Sequence, residues 1–412
     1  MRRVSATEAL ERSAAAIARW EPTVRAWAHL DLDAAASAAC RLDGEPAGPM
    51  SGVTVGVKDL IDTADLPTEY GSPLFAGHRP DSDAVVVAGV RRAGALVLGK
   101  TVTAELACLT PGRTTNPHRP THTPGGSSMG SAAAVACGMV DVAFGTQTAA
   151  SVTRPASFCG VYGFKPTFGL VDRTGVKLVS PSLDTIGWFA RDPSLLGMLL
   201  EVLTGRPSTT SPVLPRFSVE PTPLWERCAP DSHQAVRLAA AAARDAGAAV
   251  ADSRSTQLLL GLAEAQDLLA AYEAAVSLAW EHAHGVSPAL ARYLDAGAAT
   301  SAAQAADALR RRDSVLADVD GLFGDADVLL TPAVVGEAPA GLGSTGDPLM
   351  ARTWSLLGLP TVAVPCTAGS TGLPVGVQLV GRPGADTGLL HAAAWLGGRL
   401  GWTGLADAGV PG

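Results

Sequence analysis

Apolar runs too short to be helices recur along the chain with helix-like segments between them, and that alternation leaves few architectures open. Val53-Thr54-Val55-Gly56-Val57 ends at Lys58-Asp59, Ala95 to Leu98 forms a second run, and Val140 to Phe144 a third. Further runs follow at Val328 to Leu330, Thr361 to Val364 and Val375 to Val380. Between them lie an Ala-rich helical opening to about Cys40, a helix over Ser82 to Ala93 stopped by Gly94, and a small-residue helix through Ala136. Asp192-Pro193 supplies an N-cap and a first-turn proline for a helix to Thr204 that Gly205 ends. A Pro/Ser/Thr-rich connector runs from Arg206 to about Pro230, an Ala/Leu-rich helical region from His233 to Phe323, and a last helix from Asp386 to Leu396. Buried strands separated by helices predict an α/β fold, with a mostly parallel or mixed sheet covered on both faces.

The 412 residues suffice for one large core without disulfide support. Thirty-one basic and 39 acidic residues leave a formal charge of −8, which argues against nonspecific nucleic-acid binding, since that needs clustered Lys and Arg. The six cysteines show no CxxC pair and read as reduced thiols of a cytoplasmic protein. Ser5 and Glu8 have capping-box spacing, so the N-terminus reads as a helix start, not a signal peptide. No apolar stretch is long enough to span a membrane.

Two motif matches fail on context. Gly94-Ala95-Leu96-Val97-Leu98-Gly99-Lys100-Thr101 fits GxxxxGK[ST], but a helix precedes it and its inner residues form a strand whose N–H groups are committed to a ladder. His118 and His122 are four apart with Pro120 between them, so they cannot share a helical face as zinc ligands would. His282 and His284 point in different directions in a helical region.

The chemistry is concentrated between residues 125 and 151. Two turns of small residues, Gly125-Gly126-Ser127-Ser128 and Thr148-Ala149-Ala150-Ser151, flank a helix and a buried strand. Small residues let backbones approach closely and expose N–H groups to a ligand oxygen. A serine hydroxyl needs a base to act as a nucleophile, and the basic residue at a comparable strand end is Lys58. The same pattern also fits tight turns that serve packing alone.

Thr123 to Ala136, Gly145 to Ser151, Arg154-Pro155, Cys159-Gly160 and Gly163-Phe164-Lys165-Pro166-Thr167 together resemble the amidase signature. Gly52 to Asp59 is similar to that family's lysine strand, and Leu329 to Pro332, Gly358-Leu359-Pro360 and Gly372 to Gln378 resemble its C-terminal half. The resemblance covers nearly the whole chain. It implies a single domain over 1–412, with a core signature at about 52–190, a helical middle at about 231–323 and the C-terminal half of the core at about 324–400. It further implies Ser151 as nucleophile, Ser127 as a bridging serine in a cis peptide, and Lys58 as base. Backbone N–H groups of Thr148, Ala149, Ala150 and Ser151 would form the oxyanion hole, with no metal or organic cofactor required.

The chain departs from the family pattern where two glycines usually precede the nucleophile; here they are Ala149 and Ala150. Gln147 stands for the usual Asp, Arg154 lies one position later than the usual Arg, and Met129 replaces a glycine. The implied reaction is hydrolysis of a small or medium carboxamide by water. The alternatives are the glutaminase subunit of a tRNA-dependent amidotransferase, acyl transfer to another amine, or a weakly active or non-enzymatic amide-binding relative. Pocket walls are expected from the connector, the helical middle and the loop before Trp354. Trp354 and Trp225 are candidate pocket aromatics, with core or rim as the plainer reading. The expected partners are the amide and water, without nucleic acid or membrane. Oligomeric state stays open, a homodimer being one option that exposed helices of this kind often support.

Overall fold

The computed structural model describes residues 4–207, 214–253 and 256–405. Eleven strands form one mixed sheet: β1 (Trp27–Leu30), β2 (Thr54–Lys58), β3 (Leu96–Thr101), β4 (Val142–Gln147), β5 (Tyr162–Lys165), β6 (Thr185–Ala190), β7 (Phe217–Val219), β8 (Val250–Asp252), β9 (Val328–Pro332), β10 (Thr361–Ala368) and β11 (Pro374–Gly381). Their order across the sheet is β1-β3-β2-β4-β6-β5-β10-β11-β9-β7-β8. β2 runs parallel to both β3 and β4, and β7 to both β8 and β9; the other pairings are antiparallel.

Strand alternation sends side chains to two cores. Val55, Val57, Phe144, Trp188, Val377 and Leu379 enter one apolar cluster with residues of the helices Pro193–Thr204, Pro230–Asp245 and Asp386–Leu400. On the other face Leu96, Leu98, Ala143 and Phe189 pack with the helices Ala6–Val24 and Met129–Ala136. Leu329 and Val380 meet the helices Leu262–Ser277, Ala302–Ala317 and Leu349–Leu356 on a third cluster. The helical covering follows from a sheet whose central strands are buried along their whole length.

The capping box at Ser5 and Glu8 forms, with Ser5 Oγ accepting from the Glu8 N–H at 3.1 Å and Glu8 Oε2 from the Ser5 N–H at 3.0 Å. Asp192 caps its helix as expected. The opening region, however, is not one helix to Cys40. Arg25 takes a left-handed conformation (φ 53°), and β1 follows, pairing antiparallel with β3 before a second helix, Leu32–Asp43. β7 and β8 likewise lie inside segments expected to be connector and helix, and β5 and β6 add two central strands. Among the described residues no helix is long and apolar enough to cross a membrane.

Candidate active site

Lys58 ends β2, and Thr146 and Gln147 end the parallel neighbour β4, so the two strands deliver these side chains to one edge. Between them comes the loop before the helix Met129–Ala136. Gly125 there has φ +83°, and a Cβ on it would lie 2.8 Å from Pro155 Cα; one on Gly126 would lie 2.6 Å from Thr345 Cγ2. Only glycine fits both positions. The Gly126–Ser127 peptide is cis.

Lys58 is fully buried, and its Nζ lies 2.8 Å from Ser127 Oγ and 2.7 Å from Thr146 Oγ1. It has no ion-pair partner among the described residues. Burial pulls its pKa from 10.5 down to about 7, and the charges of Asp184 and Cys108 only partly oppose this. An amine about half neutral near pH 7, hydrogen-bonded to a hydroxyl, can take that hydroxyl's proton in its neutral form.

Ser151 follows the turn and precedes the helix Thr153–Cys159. It lines, together with Ser127, a cavity of about 340 Å³. The helical middle contributes Gln266, Ala270 and Tyr293 to the walls, and the segment before Trp354 contributes Gly343 to Gly346 and Arg352. Among the described residues, the connector contributes none of the lining. Trp354 is instead fully buried in the core, and Trp225 stacks on His233 with ring centroids 4.2 Å apart. Larger grooves lie along the helices Leu262–Ser277 and Ala302–Ala317 (about 480 Å³) and beside β7 and β8 (about 770 Å³), but neither includes Ser127 or Ser151 in its wall.

The turn before Ser151 is braced from several sides. Gln147 Oε1 accepts from the N–H groups of Val152 (2.8 Å) and Thr153 (2.9 Å). Its Nε2 donates to Ser355 Oγ at 3.1 Å, and Ser355 in turn donates to the Ala149 carbonyl at 2.7 Å. Arg154 donates to the carbonyls of Gly126 (2.7 Å) and Gly346 (2.5 Å), tying the helix after Ser151 to the Ser127 loop. The Thr148 hydroxyl donates to Asp184, which is held by the N–H groups of Val179 (2.6 Å) and Ser180 (2.9 Å). Neither Ala149 nor Ala150 has positive φ, so the exchange of glycine for alanine carries no backbone penalty here. The N–H groups of Thr148, Ala149, Ala150 and Ser151 donate to no acceptor among the described residues, which leaves them available to a ligand oxygen. Met129, the other departure, is buried, its sulfur accepting from the Gly112 N–H at 3.2 Å.

Reading the sequence singled out Lys58, Ser127 and Ser151 but missed Thr146, Asp184, Ser355 and Gln266. Thr146 lies within the Gly145 to Ser151 stretch but carried no assigned role, whereas Asp184, Ser355 and Gln266 come from three separate segments that no local pattern links to the serine turns. The remaining candidates have other roles. Lys100 is a buried strand residue bonded to the Ile61 carbonyl (2.7 Å) and paired with Asp59 (3.3 Å). His118 donates to the Cys159 carbonyl at 3.0 Å, and His282 faces Asp295 at 3.3 Å. Among the described residues no group of three or more His, Cys, Asp and Glu side chains could hold a metal ion.

Known proteins resemble the chain along nearly its whole length. The sequence profile of the family described as Amidase matches residues 8–390. The chain is 34% identical to a glutamyl-tRNA(Gln) amidotransferase subunit of Chloroflexus aurantiacus, over 94% of this chain and 92% of that protein. It is 33% identical to the corresponding chloroplastic/mitochondrial protein of Zea mays, over 90% and 82%. Among solved structures, an amidase crystal structure superposes with a TM-score of 0.87 at 31% identity, covering 97% of both chains. A 6-aminohexanoate cyclic dimer hydrolase complexed with substrate superposes with a TM-score of 0.86 at 26% identity, covering 97% and 94%.

Proposed function

The chain belongs to the amidase family, and from that premise we propose that it hydrolyses the C–N bond of a small or medium carboxamide through an acyl-enzyme on Ser151. The observation that carries this is the buried Lys58 amine 2.8 Å from Ser127 Oγ, which lies in the cavity wall that also presents Ser151. Neutral Lys58 takes the proton of Ser127, and Ser127 takes that of Ser151 as its oxygen attacks the amide carbon. The free N–H groups of residues 148 to 151 receive the oxyanion, an arrangement that commonly supplies the largest single share of rate enhancement. The proton returns through the two serines to the leaving nitrogen. Water then attacks the acyl-Ser151 carbonyl by the same route, releasing the acid. The cavity of about 340 Å³ suits a ligand of small to medium size.

A second reading is favoured by the relatives. The 34% identity to a component of a glutamyl-tRNA(Gln) amidotransferase supports a role as the ammonia-releasing member of such a complex. Both readings share the acyl-enzyme and differ in where the released nitrogen goes.

A fluorophosphonate probe read by intact mass tests the shared step. The expected result is one adduct at Ser151, absent in Ser151→Ala and slowed at least about 100-fold in Lys58→Ala. No adduct on the folded wild type would overturn the proposal. A panel of primary carboxamides then separates the readings. Turnover of simple amides by the isolated chain supports the hydrolase, whereas activity confined to glutamine and dependent on added partner proteins supports the amidotransferase.

A further inference from the structure

Gln266 lies in the helix Leu262–Ser277, is fully buried, and lines the cavity that holds Ser127 and Ser151. Its Nε2 donates to the Thr148 carbonyl at 3.0 Å. A carbonyl only accepts, so this bond fixes which end of the side-chain amide is NH₂ and which is oxygen. Gln266 Oε1 is then an acceptor, buried, and without a hydrogen-bond partner among the described residues. A buried acceptor with no donor destabilises the fold and is rare unless a ligand or water serves it.

We propose that Gln266 is a substrate-binding residue whose Oε1 accepts the N–H of the scissile carboxamide. This deepens the function proposed above and rests on it. The anchor of Gln266 is Thr148, the first residue of the stretch whose free N–H groups the proposed function assigns to the oxyanion. A carboxamide presents an acceptor oxygen on one side of its carbonyl carbon and an N–H donor on the other. The cavity offers the complement, with donors from residues 148 to 151 and one acceptor from Gln266 beside them. The substrate class follows: primary amides and secondary amides that keep an N–H. Esters and N,N-dialkyl amides lack the donor and leave Oε1 unpaired, the situation in which a polar site discriminates most strongly. The Ser–Ser–Lys relay alone carries no such preference.

The test takes the best substrate from a panel of aliphatic primary carboxamides of two to eight carbons and its methyl ester, with wild type and Gln266→Met. Methionine keeps the length and removes the acceptor together with the Nε2 donor to the Thr148 carbonyl, and the ester and the probe report the loss of that donor. For the amide, kcat/KM should fall about 10- to 100-fold, while the ester changes by less than about threefold. The fluorophosphonate probe, which has no N–H, should label Ser151 in both proteins at rates within about threefold of one another. A parallel loss of amide, ester and probe reactivity would mean that Gln266 only braces Thr148, and an unchanged amide-to-ester ratio in an active enzyme would also overturn the assignment. A wild type that takes the probe but turns over no carboxamide overturns the proposed function, and this assignment with it.

Discussion

Three lysines, Lys58, Lys100 and Lys165, are buried, and their surroundings give them different work. Lys100 has Asp59 at 3.3 Å to balance its charge, and Lys165 donates to the Pro166 carbonyl at 3.0 Å and bonds to no serine among the described residues. Lys58 alone of the three meets a hydroxyl that lies beside a second serine in a cavity wall. A base must be neutral to act, so the rate of Ser151 acylation should fall as pH drops below about 7, by roughly tenfold per unit once Lys58 is mostly protonated. Asp184 holds the Lys58 pKa higher than burial alone would, because its negative charge favours the ammonium. Asp184→Asn should therefore move the acidic limb of the profile to lower pH. Fluorophosphonate acylation rates measured from pH 5 to 9 read both effects; an unmoved limb in the variant would show that Asp184 is not coupled to the base.

At the scale of elements, the turn between β4 and the helix Thr153–Cys159 decides whether the departures from the family pattern matter. Because Ala149 and Ala150 both keep negative φ, glycine should bring no relief there. Ala149→Gly and Ala150→Gly should each leave kcat/KM within about threefold and lower stability by about 0.5–1 kcal/mol, through the larger entropy of the unfolded chain. A large gain in activity would mean that the alanines do distort the oxyanion hole. Gln147→Ala is the contrasting case, since it strips a partner from two buried N–H groups, Val152 and Thr153. Chemical denaturation should show a loss of about 2–4 kcal/mol, and probe labelling should slow with it. The elements that carry this turn were legible where local chemistry sets them: the strand before Lys58, the capped helix at Asp192, the helix stop at Gly94. Those set by distant partners were not. β1 exists because Trp27 to Leu30 find an edge of β3, and nothing in the Ala-rich opening announces that edge. The three-residue strands β7 and β8 owe their place to β9 in the same way. The site divides likewise. Lys58, Ser127 and Ser151 stood out through glycine-rich turns and family resemblance, whereas Asp184, Ser355 and Gln266 reach the turn from positions 36, 206 and 118 residues away from their partners in it.

For the whole molecule, burying amines links folding to pH. Burial pulls Lys58 and Lys165 from 10.5 to about 7, and Lys100 to about 8. Between about pH 7 and 10.5 the unfolded chain therefore holds protons that the folded chain has released, so stability rises with pH in that window, by at most about 1.4 kcal/mol per unit for each lysine. The thiols act in the opposite sense. Burial pushes Cys228 and Cys366 from 9.0 up to about 12, so above about pH 9 the unfolded chain loses protons that the folded chain keeps, and stability declines. The buried carboxyls of Asp59 and Asp184, raised above 3.8, make stability fall with pH just above the ordinary carboxylate range. The melting temperature should accordingly climb from pH 7 to a maximum near pH 9. Lys165→Met, which removes one of the depressed amines without touching the serines, should flatten that climb while leaving probe labelling at Ser151 intact. Calorimetry in matched buffers at pH 6.5 to 9.5 measures both slopes. If the wild-type profile is flat between pH 7 and 8.5, the buried lysines keep their protons in the folded chain, and Lys58 then has no free lone pair with which to start the reaction.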